Sequence, residues 1–193
     1  MTVLKLVKER KTIRKYQKKR IPGKILTKII DAGIWGPSVV AFQPWFFIII
    51  TNKNIIRKIN QFILHKVKQM GVVGNVILKR TAEAIGEAPA VIVIYNTGEF
   101  TAFAQRFEKK YIKITHMAEI SAISAAIQNM ILVAEDMGIS TCWHDTPVMC
   151  EKEISKALNI NLEMVAILSL GYSAERGKRA IRKKPSLMLK YIK

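Results

Sequence analysis

The chain has 193 residues, half of them hydrophobic, and carries 32 Lys and Arg against 14 Asp and Glu, for a formal net charge of +18. That length supports one substantial core and is short for two, so a single domain over residues 1–193 is expected, with no repeat, low-complexity tract or Gly/Ser/Pro linker to divide it. Cys142 and Cys150, eight positions apart, make neither a four-thiol zinc site nor a CxxC redox pair, so no metal is implied, and the charge favours anionic partners without choosing among them.

From the N-terminus, Met1 to Lys11 holds lysines but no continuous apolar run and no small-residue cleavage site, which argues against a secretory signal and for a cytoplasmic protein. In Glu9-Arg10-Lys11-Thr12-Ile13-Arg14 two guanidinium groups and a hydroxyl alternate, and on an extended chain they would point the same way. Such a row can hold a phosphate by charge-assisted hydrogen bonds, although a solvated basic segment would look the same. Pro22 sits where a helix can begin, and Ile25, Ile29, Ile30 and Ile34 then share a face as far as Gly36-Pro37. Residues 36–45, Gly-Pro-Ser-Val-Val-Ala-Phe-Gln-Pro-Trp, form a loop whose two prolines fix its backbone and leave N–H groups free for a ligand. Trp45 to Thr51 reads as a buried strand, and Ile55, Ile56, Ile59, Phe62, Ile63 and Val67 as one face of a helix.

Past Pro89, Ala90 to Tyr95 is a continuous apolar strand, while Asn96 to Thr115 has weak periodicity and reads as a lid or a partner-contacting excursion. Met117 to Met137 predicts a central helix that stops at Gly138, with Ser121, Ala122, Ser124, Ala125 and Ala126 permitting close packing. The apolar stretch 114–137 is interrupted by His116, Glu119, Gln128, Asn129, Glu135 and Asp136, so it is not expected to span a membrane. Ile139 to Trp143 and Val165 to Leu170 complete four or five strands, with Glu151 to Leu158 as a short helix between them; the class is α+β, and periodicity leaves the strand order open. Basic residues gather at 5–20, 109–113 and 178–193, and none of these runs is interleaved with the aromatic residues that stack on bases, so a solvated surface is preferred to nucleic-acid binding.

Taken in order, three sets of residues resemble the nitroreductase family. Residues 10–14 are similar to its Arg-[Arg/His]-Ser-x-[Arg/Lys] opening, and residues 37–45 to its Pro-Ser-x-x-Asn-x-Gln-Pro-Trp loop. The third set resembles its Gln-Asn helix at 128–129, its Gly-Leu-Gly-x-x-Trp strand at 138–143 and its Leu-Gly-Tyr terminus at 170–172. The resemblance covers nearly the whole chain and implies a three-layer α-β-α sandwich, an intertwined homodimer, and FMN at the subunit interface. It further implies that Arg10 and Thr12, with Lys11 between them, hold the FMN phosphate and that Arg14 approaches the N1/C2-carbonyl edge of the ring. Pro37, Ser38, Val39 and Ala41 would reach the flavin of the other subunit, residues Cys142, Trp143, His144 and Asp145 would line the ring, and Arg182 and Lys183 would close on the phosphate. Two positions depart from the pattern. Ala41 stands where the family has Asn, and Asp145-Thr146 stand where it often has Gly-Gly. No middle-chain lysine aligns uniquely, and Lys66, Lys68 and Lys79 all stay open.

The implied activity is transfer of two electrons from NAD(P)H to a nitroaromatic, quinone or other flat acceptor by a ping-pong exchange, with the flavin carrying the chemistry and no catalytic triad. His144 could donate a proton there or simply fill the strand end, and Cys142 reads as a small buried hydrophobe. Alternatives are a specialised branch (a dehydrogenating oxidase, a flavin-consuming enzyme or a reductive dehalogenase) and a basic nucleic-acid-binding or flavin-storage protein without turnover.

Overall fold

The computed structural model describes residues 2–70 and 72–192. Met1, Gly71 and Lys193, the first and last of which end the stretches read above as non-signal and basic, lie outside the described residues. Seven helices and four strands follow in the order α1 (Val3–Glu9), α2 (Gly23–Ile34), β1 (Trp45–Ile50), α3 (Lys53–Val67), α4 (Val72–Glu87), β2 (Ala90–Asn96), α5 (Glu99–Gln105), α6 (Ile112–Asp136), β3 (Ser140–His144), α7 (Glu151–Leu158) and β4 (Glu163–Gly171) among the described residues, besides short 3-10 turns. The strands form one antiparallel sheet in the order β1-β2-β4-β3.

Both faces of that sheet are covered, which explains why β2 is apolar at every position from Ala90 to Tyr95 instead of alternating. Its odd residues Val91, Val93 and Tyr95 pack against Ile56, Ile59 and Ile63 of α3, Leu78, Ala82 and Ile85 of α4, and Ile154 of α7. Its even residues Ile92 and Ile94, with Ala166 and Leu168 of β4, pack against Leu26 and Ile29 of α2 and Ile123, Ala126 and Ile127 of α6. The architecture is therefore the expected three-layer α-β-α sandwich. Ile59 and Ile63 are fully buried, and each contributes about 1.5–3 kcal/mol of transfer free energy.

Local signals set the ends. Pro22 caps α2, with its carbonyl accepting the N–H of Ile25 at 2.9 Å. The Asn52 side chain caps α3 by accepting the N–H of Asn54 at 2.9 Å. Gly138 ends α6 with φ of +73°, the left-handed conformation that glycine takes without steric cost. The small residues of α6 serve packing within the chain: a Cβ on Gly36 would lie 3.0 Å from the Cα of Ala126, so α2 ends hard against that helix. By length and composition α6 could cross a bilayer, but it lies in the helical layer with Ala122, Ile123, Ala126, Ile127 and Met130 buried.

Three expectations change. The strand at Trp45 is an edge strand, with Phe46 and Ile49 exposed, because nothing among the described residues pairs with it beyond β2. Ile34 and Ile55 turn out exposed, each at a helix end where the neighbouring layer no longer reaches. The weakly periodic stretch after Asn96 is largely helical, comprising α5 and the first turn of α6.

Candidate cofactor site

Residues 10–17 meet the outer edge of β3 at Thr141 and then run beside residues 172–175, just past β4. Thr12 bridges Thr141 in parallel, the Ile13 N–H donates to the Thr141 carbonyl at 3.0 Å, and the Gln17 N–H donates to the Tyr172 carbonyl at 2.9 Å. Extended chain sends alternate side chains to opposite sides. Arg10 and Thr12 share one side, with Nη1 of Arg10 donating to Oγ1 of Thr12 at 3.4 Å. Lys11 and Ile13 share the other, both facing Gly177, and Lys11 Nζ donates to the Arg176 carbonyl at 3.2 Å. Lys11 thus lines a separate polar cavity of about 410 Å³ with Glu135, Glu175, Arg176 and Arg179. Burial there pushes the Glu135 carboxyl up, against the pull of Arg10 and Lys11.

The segment is held from behind by a buried chain of polar side chains that sequence reasoning missed. Nε2 of His144 lies 2.8 Å from Oγ of Ser169, which lies 2.8 Å from the Tyr16 hydroxyl, which donates to the Ile13 carbonyl at 2.7 Å. One direction satisfies every member: imidazole N–H to serine, serine O–H to tyrosine, tyrosine O–H to carbonyl. That leaves Nδ1 of His144 as an acceptor facing the Cys142 thiol at 3.8 Å. All four groups are neutral, and burial is the main cause. It pushes the imidazole down to about 4, with help from the Arg14 guanidinium, and the Cys142 thiol up to about 11 despite the opposing pull of Arg14; it also raises the Tyr16 phenol. His144, 4% exposed, is an internal anchor.

Glu175 is a second anchor, since Oε1 accepts the backbone N–H of Arg14 at 2.7 Å and of Lys15 at 3.2 Å. A signal for it existed: it is the single carboxylate among the eight Lys and Arg of residues 173–193. Trp143 points to the opposite face of the sheet, and its buried Nε1 has no hydrogen-bond partner among the described residues. Asp145 is exposed just past β3. Arg182 and Lys183 are exposed and make no hydrogen bond or ion pair among the described residues. Of the three open lysines, Lys66 lies near enough to Cys150, at the end of the segment following β3, to oppose the upward push of burial on its thiol.

The loop of residues 36–44 is elsewhere. It leads into β1, at the far edge of the sheet from β3, three strand spacings or roughly 14 Å away. Val40, Ala41 and Gln43 have φ of +48°, +56° and +50°, a strained region for residues other than Gly or Asn, and Ser38 Oγ accepts the Gln43 N–H at 3.2 Å. Phe42 packs at 4.9 Å on Phe100 and 5.6 Å on Phe103, the two aromatic rings of α5. Helix α5 begins at Gly98, which has no side chain to cap it, and the carboxylate of Glu119 from α6 does so instead. That group is 1% exposed and accepts from the Thr101 N–H at 3.0 Å, from Thr101 Oγ1 at 2.7 Å and from Asn96 Nδ2 at 3.1 Å. Within one chain, then, the first and third sequence motifs meet and the second stands apart. A concavity of about 1390 Å³ between residues 16–23 and α3 and α4 is lined by none of the predicted site residues.

A four-stranded antiparallel sheet between helical layers, with a cationic segment laid on its β3 edge, is a fold found in flavoproteins. Over its full length the chain matches a BluB-like flavoprotein of Clostridium difficile 630 with a TM-score of 0.82 at 20% identity, covering 100% of both chains. A nitroreductase with bound FMN from Desulfitobacterium hafniense DCB-2 matches with a TM-score of 0.81 at 18% identity, again over 100% of both. A protein of Methanothermobacter thermautotrophicus, provisionally named NADH dehydrogenase/NAD(P)H nitroreductase, is 27% identical over 179 residues, 91% of this chain and 79% of that one. The family model described as the nitroreductase family matches residues 7–172, and the chain belongs to that family.

Proposed function

We propose that the protein is an FMN-dependent oxidoreductase of one domain that passes two electrons from NAD(P)H to a flat organic acceptor in the cytoplasm, with a site completed by a second copy of the chain. The observation that carries this reading is the doubly anchored row of Arg10, Thr12 and Arg14 on the β3 edge. Arg10 and Thr12 offer a guanidinium and a hydroxyl on one side of the segment, which suits a terminal phosphate monoester, and the chain has no GxGxxG turn for a pyrophosphate.

FMN, when bound, would supply the two-electron exchange. The chain's own residues bind and orient it. Arg14, a permanent cation, favours a site where negative charge develops on reduction. Glu175 and the His144-Ser169-Tyr16 chain fix its backbone, and we assign His144 this positioning role. Residues 37–41 lie at the far sheet edge, so they suit a flavin held by a second copy, which is why we infer a homodimer.

Mass spectrometry of the released cofactor should give FMN, and anaerobic addition of NADH or NADPH should bleach it. Reoxidation by a nitroaromatic, a quinone and a halogenated phenol in turn then ranks the acceptors, and parallel double-reciprocal plots would mark a ping-pong exchange. Recovery of FAD, or no flavin after reconstitution, would overturn the proposal.

A further inference from the structure

The concavity of about 1390 Å³ between residues 16–23, α3 and α4 takes all of its walls from one chain. Its floor is apolar, with Ile21, Leu26, Ile56 and Ala88 all buried. Its walls are charged.

The α3 wall carries Lys53, Arg57 and Asn60, spaced so that they share one helical face with Ile56. The α4 wall carries Glu83 and Glu87 at the same four-residue spacing as Lys53 and Arg57. Like charges one turn apart repel, so each pair opposes the helix that bears it. The outer member of each pair is also set against its helix dipole. Lys53 opens α3 at the positive end, where the first turn has no carboxylate, and Glu87 closes α4 at the negative end, where the last turn has no cation. Gly86 lets the two helices approach between these pairs, since a Cβ there would collide with the Asn60 amide, which donates to the Ala82 carbonyl at 2.5 Å. Residues 17–20 form the third wall and add Lys18, Lys19 and Arg20. None of these charged groups makes an ion pair among the described residues.

Repulsion concentrated at one cleft is a cost that a ligand of matching charge removes, and stability given up in this way is a mark of binding sites. An anion suits Lys53, Arg57 and the N-terminus of α3. N–H donors suit the two carboxylates, and a flat body suits the apolar floor. A nucleic-acid strand crossing the cleft would run its next phosphates onto Glu83 and Glu87, so a single phosphorylated molecule fits better than a polymer. The tail of a second copy fits worse still, because residues 173–193 hold eight Lys and Arg against one Glu and would meet like charge.

We propose that this cleft binds a nucleoside phosphate at a site separate from the candidate cofactor site. The phosphate lies against Lys53, Arg57 and the start of α3, and the base lies over the apolar floor with its N–H donors turned to Glu83 and Glu87. Guanine, with two adjacent N–H donors on one edge, is the base that a carboxylate matches best. The inference is independent of the redox reading, and ligand binding by a flavin-free protein would leave it standing.

Calorimetric titration of the full-length, flavin-loaded protein with guanosine monophosphate tests it, with inorganic phosphate and guanosine as the partial ligands. Guanosine monophosphate should saturate at one per chain and bind at least about tenfold more tightly than either part. Lys53→Gln with Arg57→Gln should weaken it by at least about tenfold, and Glu83→Gln with Glu87→Gln should weaken it without weakening inorganic phosphate. Without ligand, both double variants should melt at a higher temperature than the wild type, since each removes a like-charge pair and a charge set against its helix dipole. Neither touches the candidate cofactor site, so flavin content should stay the same. Absence of saturable binding, inorganic phosphate binding as tightly as the nucleotide, or nucleotide affinity unchanged in both double variants overturns the proposal, the second in favour of a plain anion patch and the third in favour of another site.

Discussion

Neutral, buried His144 makes folding stability depend on pH in a way that one substitution can isolate. In the folded protein its imidazole titrates at about 4, and in the unfolded chain near 6.5. Between those values the unfolded chain holds the extra proton, so stability is fully present above pH 6.5 and is lost as pH falls towards 4. Linkage puts the loss at about 1.4 kcal/mol at pH 5.5 and about 2.5 kcal/mol at pH 4.5. Other groups also titrate there, so the comparison is with His144→Gln, whose amide can still donate to Ser169 but cannot ionise. Urea unfolding of both proteins at pH 7.5, 5.5 and 4.5 gives the two curves, and the wild-type advantage should shrink by those amounts as the pH drops. Parallel curves would show that His144 is charged or solvated in the folded protein, and the neutral chain from His144 to Ile13 would fall with it.

Arg14→Met keeps much of the side-chain volume and removes the charge; if that costs the reduced flavin about 1.4 kcal/mol, the two-electron potential drops by about 30 mV, measurable by dye-linked titration, with FMN affinity in the oxidised state changed much less. Glu119→Ala leaves both Thr101 donors without their acceptor and Asn96 Nδ2 with Glu163 alone, and should destabilise the protein by about 2 kcal/mol and speed amide exchange at Thr101 more than in α6. Gly171→Ala places a Cβ 2.6 Å from the Tyr16 ring and 2.8 Å from Pro89, and should cost about 1–3 kcal/mol by thermal unfolding.

Periodicity and punctuation revealed much of the fold. The run Glu151–Leu158 reads as a helix from its sequence and is one, and Gly138 does end α6. Helix α4 escaped because apolar residues surround it: Val76 and Ile77 are exposed while Leu78, Ala82 and Ile85 are buried, which blurs the period. Helix α5 escaped because its cap, Glu119, comes from another element 18 residues beyond Thr101. The insertion of β4 between β2 and β3 depends on long-range pairing that no local window contains. At the candidate site, Arg10, Thr12 and Arg14 were visible as an alternating row. Ser169 and Tyr16 were not, because each looks like an ordinary core residue until the fold sets them side by side.

The two edges of the sheet are unequal, and this bears on how the protein behaves at high concentration. The N-terminal segment covers the β3 edge at Thr141, while β1 presents its outer backbone along its whole length, with Phe46 and Ile49 exposed beside it. A sheet open on both sides can recruit neighbours without end and grow into a fibre. One covered in part on one side is extended first at the other. Strand-to-strand association of this chain is therefore expected at β1, and at high concentration pairs joined there should precede any larger assembly.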